Sequence, residues 1–227
     1  MKLQLINRKV ETEDVETFVF NSLDTLNWQA GQYLHYILEH PNPDDRGIER
    51  WFTISSAPYE VQPSITTRFT EANGSTFKKA LKQMQIGDFI EGDNPEGDFV
   101  FDETNQKHVF IAGGIGITPF RSMLLQLEHD KKPINVDLLY ANRKNKLVFD
   151  ELLTGIETKH PNFKIKRFIG ENIIKGDDLQ EYVDSQSIFY ISGPRKMVEV
   201  YKQALKSFEV PDSRIKTDYF PGYQLDN

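Results

Sequence analysis

The chain has 227 residues, 38% of them hydrophobic and 27% charged, with a formal net charge of -7 and no cysteine. Iron–sulfur clusters, thiolate zinc sites, disulfides and cysteine nucleophiles therefore lack their ligands, the acidic balance argues against nucleic acid as a partner, and the length suits two domains of about 100 residues each. No apolar run reaches the roughly 18 residues needed to span a bilayer and the start has no signal-peptide core, so the expectation is a cytoplasmic protein without a transmembrane segment.

In chain order, the first part carries β-branched and aromatic runs broken by turn residues: Val15–Phe20, Gln32–Glu39, Arg50–Ser56, Ser64–Thr70 and Asp88–Glu91. That pattern predicts an antiparallel barrel or sandwich. One helix interrupts it, because Phe77, Leu81 and Met84 recur at helical spacing behind Gly74-Ser75-Thr76.

From about residue 107 apolar strands, His108–Ala112, Val136–Tyr140, Lys164–Ile169 and Ile188–Ser192, alternate with amphipathic stretches such as Pro119–Glu128 and Lys196–Phe208. Strand–helix alternation predicts a parallel sheet covered on both faces. The polar stretch DETNQK marks the boundary, giving domains 1–103 and 104–227. Charge divides at the same place: nine Lys+Arg against eighteen Asp+Glu in the first part, eighteen against sixteen in the second.

Within the barrel, Arg50-Trp51-Phe52-Thr53-Ile54-Ser55 alternates so that Arg50, Phe52 and Ile54 share one side. An arginine pairs with phosphate, an aromatic ring stacks on a planar ring system and a hydroxyl bonds a ring nitrogen. An edge strand with an exposed arginine and a core phenylalanine is the plainer meaning of such a run. Similarly, Gly74-Ser75-Thr76 reads either as a simple helix cap or as an anion seat at a helix N-terminus.

After the first parallel strand, Ala112-Gly113-Gly114-Ile115-Gly116-Ile117-Thr118-Pro119 has the form G-x-G-x-x-P, with Pro119 where the third glycine of a dinucleotide fingerprint would stand. Gly114 and Gly116 allow close backbone approach, Thr118 suits an N-cap and Pro119 the first helical position. Asn142-Arg143 and Ser192-Gly193-Pro194 follow two further strands, and all three segments fall at the carboxyl rim of a parallel sheet, where ligands bind. The plain alternative is a tight strand-to-helix connection with no ligand.

These motifs resemble the ferredoxin–NADP reductase family. Arg50-x-Phe52-Thr53 is similar to its flavin signature R-x-[YF]-[ST], and the order GQY, RWFTISSAP, GST, GDFIEGDNPEGDF, GGIGITPF, ANR, SGP and DYFPGY follows the family along almost the whole chain. The resemblance implies a six-stranded antiparallel β-barrel holding FAD, followed by a five-stranded parallel α/β domain for NAD(P)H. It implies that Arg50, Gly74, Ser75 and Thr76 meet the flavin pyrophosphate, that Phe52 stacks on the isoalloxazine and that Thr53 bonds its N5. Gly114, Gly116, Ile117, Thr118, Pro119, Asn142, Arg143, Gly193 and Pro194 would hold the dinucleotide. Ser192 stands where the family often has cysteine, so geometry rather than sulfur chemistry would set the rate. Asp218 becomes a carboxylate near N5, and Phe220, with Tyr223 as the alternative, the ring over the other flavin face; a merely docked tail is the plainer reading.

Arg143 is the candidate for the 2'-phosphate of NADPH, although Asn142-Arg143 leaves NADH open. The five histidines lack metal-site spacing, so no metal is expected, and His35 is read as a satisfied structural histidine. The expected activity is a flavin-dependent NAD(P)H oxidoreductase that transfers hydride to FAD and then electrons to a separate acceptor: ferredoxin, flavodoxin, haem protein or small molecule such as a quinone or ferric chelate. The acidic first domain disfavours an acidic ferredoxin. A non-catalytic NAD(P)H- or protein-binding regulatory module on the same fold is the alternative, and the expected state is a monomer or weak dimer.

Overall fold

The computed structural model describes residues 1–70, 74–104, 106–184 and 186–220, and at position 220 the backbone alone. The chain divides into two compact units. One comprises Met1–Phe101 with Arg121–Gln126; the other comprises Asp102–Phe120 and the chain from Leu127 onward.

The first unit is a six-stranded antiparallel sheet: β1 (Lys2–Thr12), β2 (Val15–Ser22), β3 (Tyr33–Ile37), β4 (Glu49–Thr53), β5 (Ser64–Arg68) and β6 (Phe89–Gly92), in the order β4-β3-β6-β1-β2-β5. The end strands meet just beyond β4, where the Ser55 N–H donates to the Ser64 carbonyl at 2.9 Å, and this closes the barrel. Inward-facing Leu3, Leu5, Phe18, Phe20, Leu34, Tyr36, Ile65 and Ile90 pack the interior with Phe77 and Leu81 from α1 (Thr76–Gln83). Period-two alternation on the strands and the i, i+4 pair on the helix supply that single apolar face.

Hydroxyls buried at the seam of this barrel pair with one another, which offsets the cost of burying them. At the seam a buried row of hydroxyls runs from Ser64 to Ser55 (2.7 Å), Thr66 (2.8 Å) and Thr17 (2.8 Å), and Thr17 donates to the Glu11 carboxylate at 2.9 Å. Gly31 must be glycine here: its φ is +102°, and a Cβ would lie 2.1 Å from the Phe99 carbonyl oxygen. Within the same unit Arg121 pairs with both carboxylate oxygens of Glu60, at 2.8 and 3.0 Å.

The second unit is a five-stranded parallel sheet, β7 (His108–Gly113), β8 (Val136–Asn142), β9 (Phe163–Ile169), β10 (Ile188–Pro194) and β11 (Ile215–Phe220), in the order β11-β10-β7-β8-β9. The helices are α2 (Thr118–His129), α3 (Asp150–Lys159) and α4 (Arg195–Ser207). β7 and most of β10 are buried throughout, the mark of a central parallel strand covered on both faces. No helix among the described residues is long and apolar enough to cross a membrane.

Two local expectations need correction. β1 is the longest strand although no strand is predicted over Lys2–Thr12, because bulges between Leu5 and Asn7 and between Val10 and Thr12 break its alternation. Thr118 is not an N-cap. A 3-10 turn over Gly114–Ile117 runs directly into α2, Thr118 is already helical, and its hydroxyl donates back to the Ile115 carbonyl at 3.1 Å.

Candidate functional site

In the barrel, β4 and the start of α1 bring the expected flavin-side residues together. Arg50 and Phe52 lie on one side of β4, and both reach Phe77: the Arg50 guanidinium carbon sits 5.6 Å from its ring centre, and the Phe52 ring lies 5.7 Å away, tilted by 37°. Trp51 faces outward and stacks on His35 at 4.4 Å. His35 in turn bonds Asp93 (2.8 Å) and Glu49 (3.2 Å), a surface cluster that makes it structural. Thr53 is buried at the end of β4.

Ser75 is the N-cap of α1; its hydroxyl accepts from the Lys78 N–H at 3.2 Å. The Thr76 N–H, next along, donates to Asp44 Oδ2 at 2.9 Å. Asp44 Oδ1 accepts from Arg50 Nη2 at 2.7 Å and from the Arg46 N–H at 3.0 Å. Burial works to raise the Asp44 carboxyl, but the Thr76 N–H and the Arg50 guanidinium outweigh it and hold the group at about 2. His40 completes the cluster, with Nδ1 on the Leu38 carbonyl (2.7 Å) and Nε2 on the Thr76 hydroxyl (2.9 Å). Arg50 Nη1 is held by the carbonyls of Arg46, Gly47 and Glu49, while its Nε is buried and has no partner among the described residues. Asp44 has no sequence signal, and His40 stands out only as one of five scattered histidines; they sit in or beside the loop between β3 and β4, which has no periodicity to reveal them.

In the parallel unit the carboxyl ends of four strands align. Ser192 pairs with Ala112 on one side and Asp218 on the other, Ala112 pairs with Tyr140, and Gly113 pairs with Ala141. Gly116 packs against β10 so closely that a Cβ would lie 2.2 Å from the Ser192 carbonyl oxygen and 2.7 Å from the Gly193 nitrogen. Gly116 is thus fixed by packing, and Gly114, with φ +54°, is the partly exposed glycine of the turn. Met197, from α4, lies over Gly113 and Gly193, another residue that amphipathic spacing alone assigns to a helix face. The Tyr140 hydroxyl accepts from the Val148 N–H at 3.2 Å and lies 3.2 Å from the Gly114 carbonyl, anchoring the turn.

Ser192 is fully buried and donates to Asp218 Oδ2 at 3.2 Å. Burial pushes the Asp218 carboxyl up to about 6, with the Ser192 bond opposing the rise. Asn142 spends its amide on the carbonyls of Lys144 (2.9 Å) and Lys146 (3.0 Å), closing a loop that leaves Arg143 exposed. Pro194 ends β10, and Arg195, at the start of α4, lies 5.6 Å from the Tyr219 ring. The Phe220 backbone pairs with Pro194. Its ring, and Tyr223, lie outside the described residues.

The residues suit the expected groups on two counts. Arg50 Nε is an orphaned donor buried beside a helix N-terminus, and the Gly113–Gly116 turn brings bare backbone to the sheet rim.

Residues 110–203 match the oxidoreductase NAD-binding domain family. A flavohemoprotein of Candida albicans is 28% identical over 236 residues, covering 94% of this chain and 57% of its own length. The chain spans less than two thirds of the curated flavohemoproteins it matches. Among solved structures, the flavohem-like FAD/NAD-binding domain of a nitric oxide dioxygenase from Vibrio cholerae gives a TM-score of 0.82 at 21% identity, covering 96% of this chain and 98% of that one. A ferredoxin NADP+ reductase from Neisseria gonorrhoeae, with bound FAD and NADP, also gives 0.82, at 18% identity and covering 96% and 98%.

Proposed function

We propose, from the match of residues 110–203 to the oxidoreductase NAD-binding domain family and from a fold shared with solved flavin reductase domains, that the chain is an NAD(P)H-dependent flavoprotein reductase serving a separate electron acceptor. The observation that carries this reading is the aligned sheet rim, where the Gly113–Gly116 turn, the part-buried Ser192–Asp218 pair and the Asn142 loop converge in one unit.

A bound FAD would accept a hydride from the nicotinamide and could release its electrons singly. The chain's own residues hold and orient. Arg50 Nε and the α1 N-terminus, with Gly74, Ser75 and Thr76, would hold the flavin pyrophosphate; Phe52 would back the ring system, and the Thr53 hydroxyl would serve as the donor to it. On the other unit Gly114 and the start of α2, with Ile117, Thr118 and Pro119, take the dinucleotide pyrophosphate, while Gly116 keeps that turn against β10. Asn142 works through the loop it closes, presenting Arg143 to the adenosine ribose or its 2'-phosphate. Ser192, Gly193 and Pro194 border the nicotinamide, and Ser192 orients Asp218 so that a carboxyl titrating at about 6 can hold or give a proton near physiological pH. Phe220 is the candidate for the other flavin face on the family resemblance alone.

The flavohemoprotein relatives favour a haem protein as acceptor, and the acidic first domain favours a partner with a basic face. The test is the visible spectrum of the purified protein, followed by anaerobic NADH or NADPH. Bound yellow flavin that bleaches with one of them supports the reading. A protein that takes up no FAD and oxidises neither nucleotide refutes it and moves the assignment to a regulatory module.

A further inference from the structure

The two positive features proposed for the flavin pyrophosphate, the Arg50 guanidinium and the first N–H of α1, are both given to one carboxylate. Asp44 bridges them, Oδ1 to Arg50 Nη2 at 2.7 Å and Oδ2 to the Thr76 N–H at 2.9 Å, and its own N–H donates to the Thr76 hydroxyl at 2.9 Å. A carboxylate held between a guanidinium and a helix N-terminus uses the donors that a phosphate would use. With Nη1 on three backbone carbonyls and Nη2 on Asp44, Arg50 keeps the buried, unpartnered Nε and the second Nη2 hydrogen for anything else. Two anions cannot share that seat, since each would lose the donors that offset its burial.

The segment carrying Asp44 is tied to the barrel at few points. It is the exposed connection Pro41–Ile48 between β3 and β4, with left-handed backbone at Asn42 (φ 51°) and Gly47 (φ 66°), and a Cβ at Gly47 would touch nothing within 4 Å. Apart from the turn bond from the Gly47 N–H to the Asp44 carbonyl, its ties to the barrel run through Asp44, through the backbone carbonyls that hold Arg50, and at its far end through the Ile48 carbonyl, which accepts from the Leu38 N–H at 3.0 Å.

We propose that Asp44 is an internal stand-in for the flavin pyrophosphate: in the flavin-free chain its carboxylate fills the anion seat between Arg50 and α1, and the cofactor binds by displacing it. The inference rests on the flavin reading above. It makes the apparent affinity for flavin a difference between two anions competing for the same donors, and it makes the Pro41–Ile48 connection the part of the barrel that rearranges on loading.

The test compares wild type, Asp44→Asn and Arg50→Gln, each stripped of flavin, in titrations with FAD by flavin fluorescence and with inorganic pyrophosphate by calorimetry. Asp44→Asn is expected to bind both ligands about tenfold more tightly, the scale of one charge-assisted hydrogen bond released to the ligand, while its flavin-free form melts at lower temperature because Arg50 loses its counter-charge. Arg50→Gln is expected to lose pyrophosphate binding. In wild type, FAD should lower amide-exchange protection across 41–47. Weaker ligand binding by Asp44→Asn would overturn the proposal and make Asp44 a positioning residue for Arg50; unchanged protection at 41–47 on loading would overturn it as well. If no form takes up FAD, the flavin reading fails, and the pyrophosphate titration alone decides whether Asp44 competes for the seat.

Discussion

Replacing Asp218 with asparagine tests the electrostatics of the sheet rim. Asparagine keeps an oxygen to accept the Ser192 bond and cannot ionise, so the variant isolates the cost of a charge beside a buried strand. A carboxyl at about 6 rather than its ordinary 3.8 corresponds, at about 1.4 kcal/mol per pH unit, to a ceiling of about 3 kcal/mol. The residue is only partly buried, and solvent screening brings the expected effect to about 1–2 kcal/mol. The folded state holds this proton more tightly than the unfolded state, so the stability linked to it is present below about pH 4 and is lost as pH rises through about 6. Asp218→Asn should therefore match wild type near pH 4 and exceed it increasingly up to about pH 7, with a constant gap above. Urea unfolding followed by far-UV circular dichroism at several pH values measures that gap. A variant less stable than wild type by the same margin at every pH would refute the argument, because the ionised carboxylate would then be fully compensated.

Three further substitutions follow from the packing and the loops. Gly116→Ala places a methyl 2.2 Å from the Ser192 carbonyl oxygen, against the Ser192–Gly193 backbone, so it should cost at least about 1–3 kcal/mol and weaken NAD(P)H binding, read by thermal melting and nucleotide titration. Thr66→Val removes the hydroxyl between Ser55 and Thr17 and should cost about 1–3 kcal/mol; Thr66→Ser should recover most of it in the same melts. Arg143→Ala should raise KM for NADPH about tenfold without moving KM for NADH if the exposed guanidinium meets the 2'-phosphate. Equal KM values for wild type and variant with NADPH would count against that role.

The parallel unit was largely legible because its strands are continuous apolar runs: Val109–Ala112 and Phe189–Ile191 are buried along their whole length, so composition alone marks them. The barrel was legible only where alternation was clean. β1 escaped because only Leu3 and Leu5 alternate inward before the bulges and the polar residues from Asn7 onward. α3 was not predicted because Leu153 and Ile156 alone mark its buried face. Arg50, Phe52 and Thr53 could be found because a strand sets their spacing, whereas Asp44 and His40 reach the same place from an irregular connection. Their partners, Arg50 and Thr76, are near in space but lie 6 and 36 positions further along the chain, and no local pattern encodes such a meeting. Thr118 was misjudged because the preceding 3-10 turn makes the helix begin earlier than the Thr-Pro pair suggests.

The hydroxyl row at the barrel seam has a built-in polarity. Glu11, ion-paired with Lys9, offers an acceptor and no hydrogen, so Thr17 must point its own hydrogen outward to it. Thr17 then has only lone pairs left for Thr66, and Thr66 spends its hydrogen on Thr17; Ser55, although the Ser64 carbonyl also lies 3.1 Å away, turns toward Thr66 to keep a proton in that contact, and Ser64 turns toward Ser55. One carboxylate at the rim thus sets the orientation of four hydroxyls in sequence, and reversing any one of them would set two oxygens face to face without a proton between them. The seam is therefore a row of aligned dipoles rather than a set of independent bonds, and a charge change at Glu11 would be felt four residues away at Ser64, on the opposite edge of the closure.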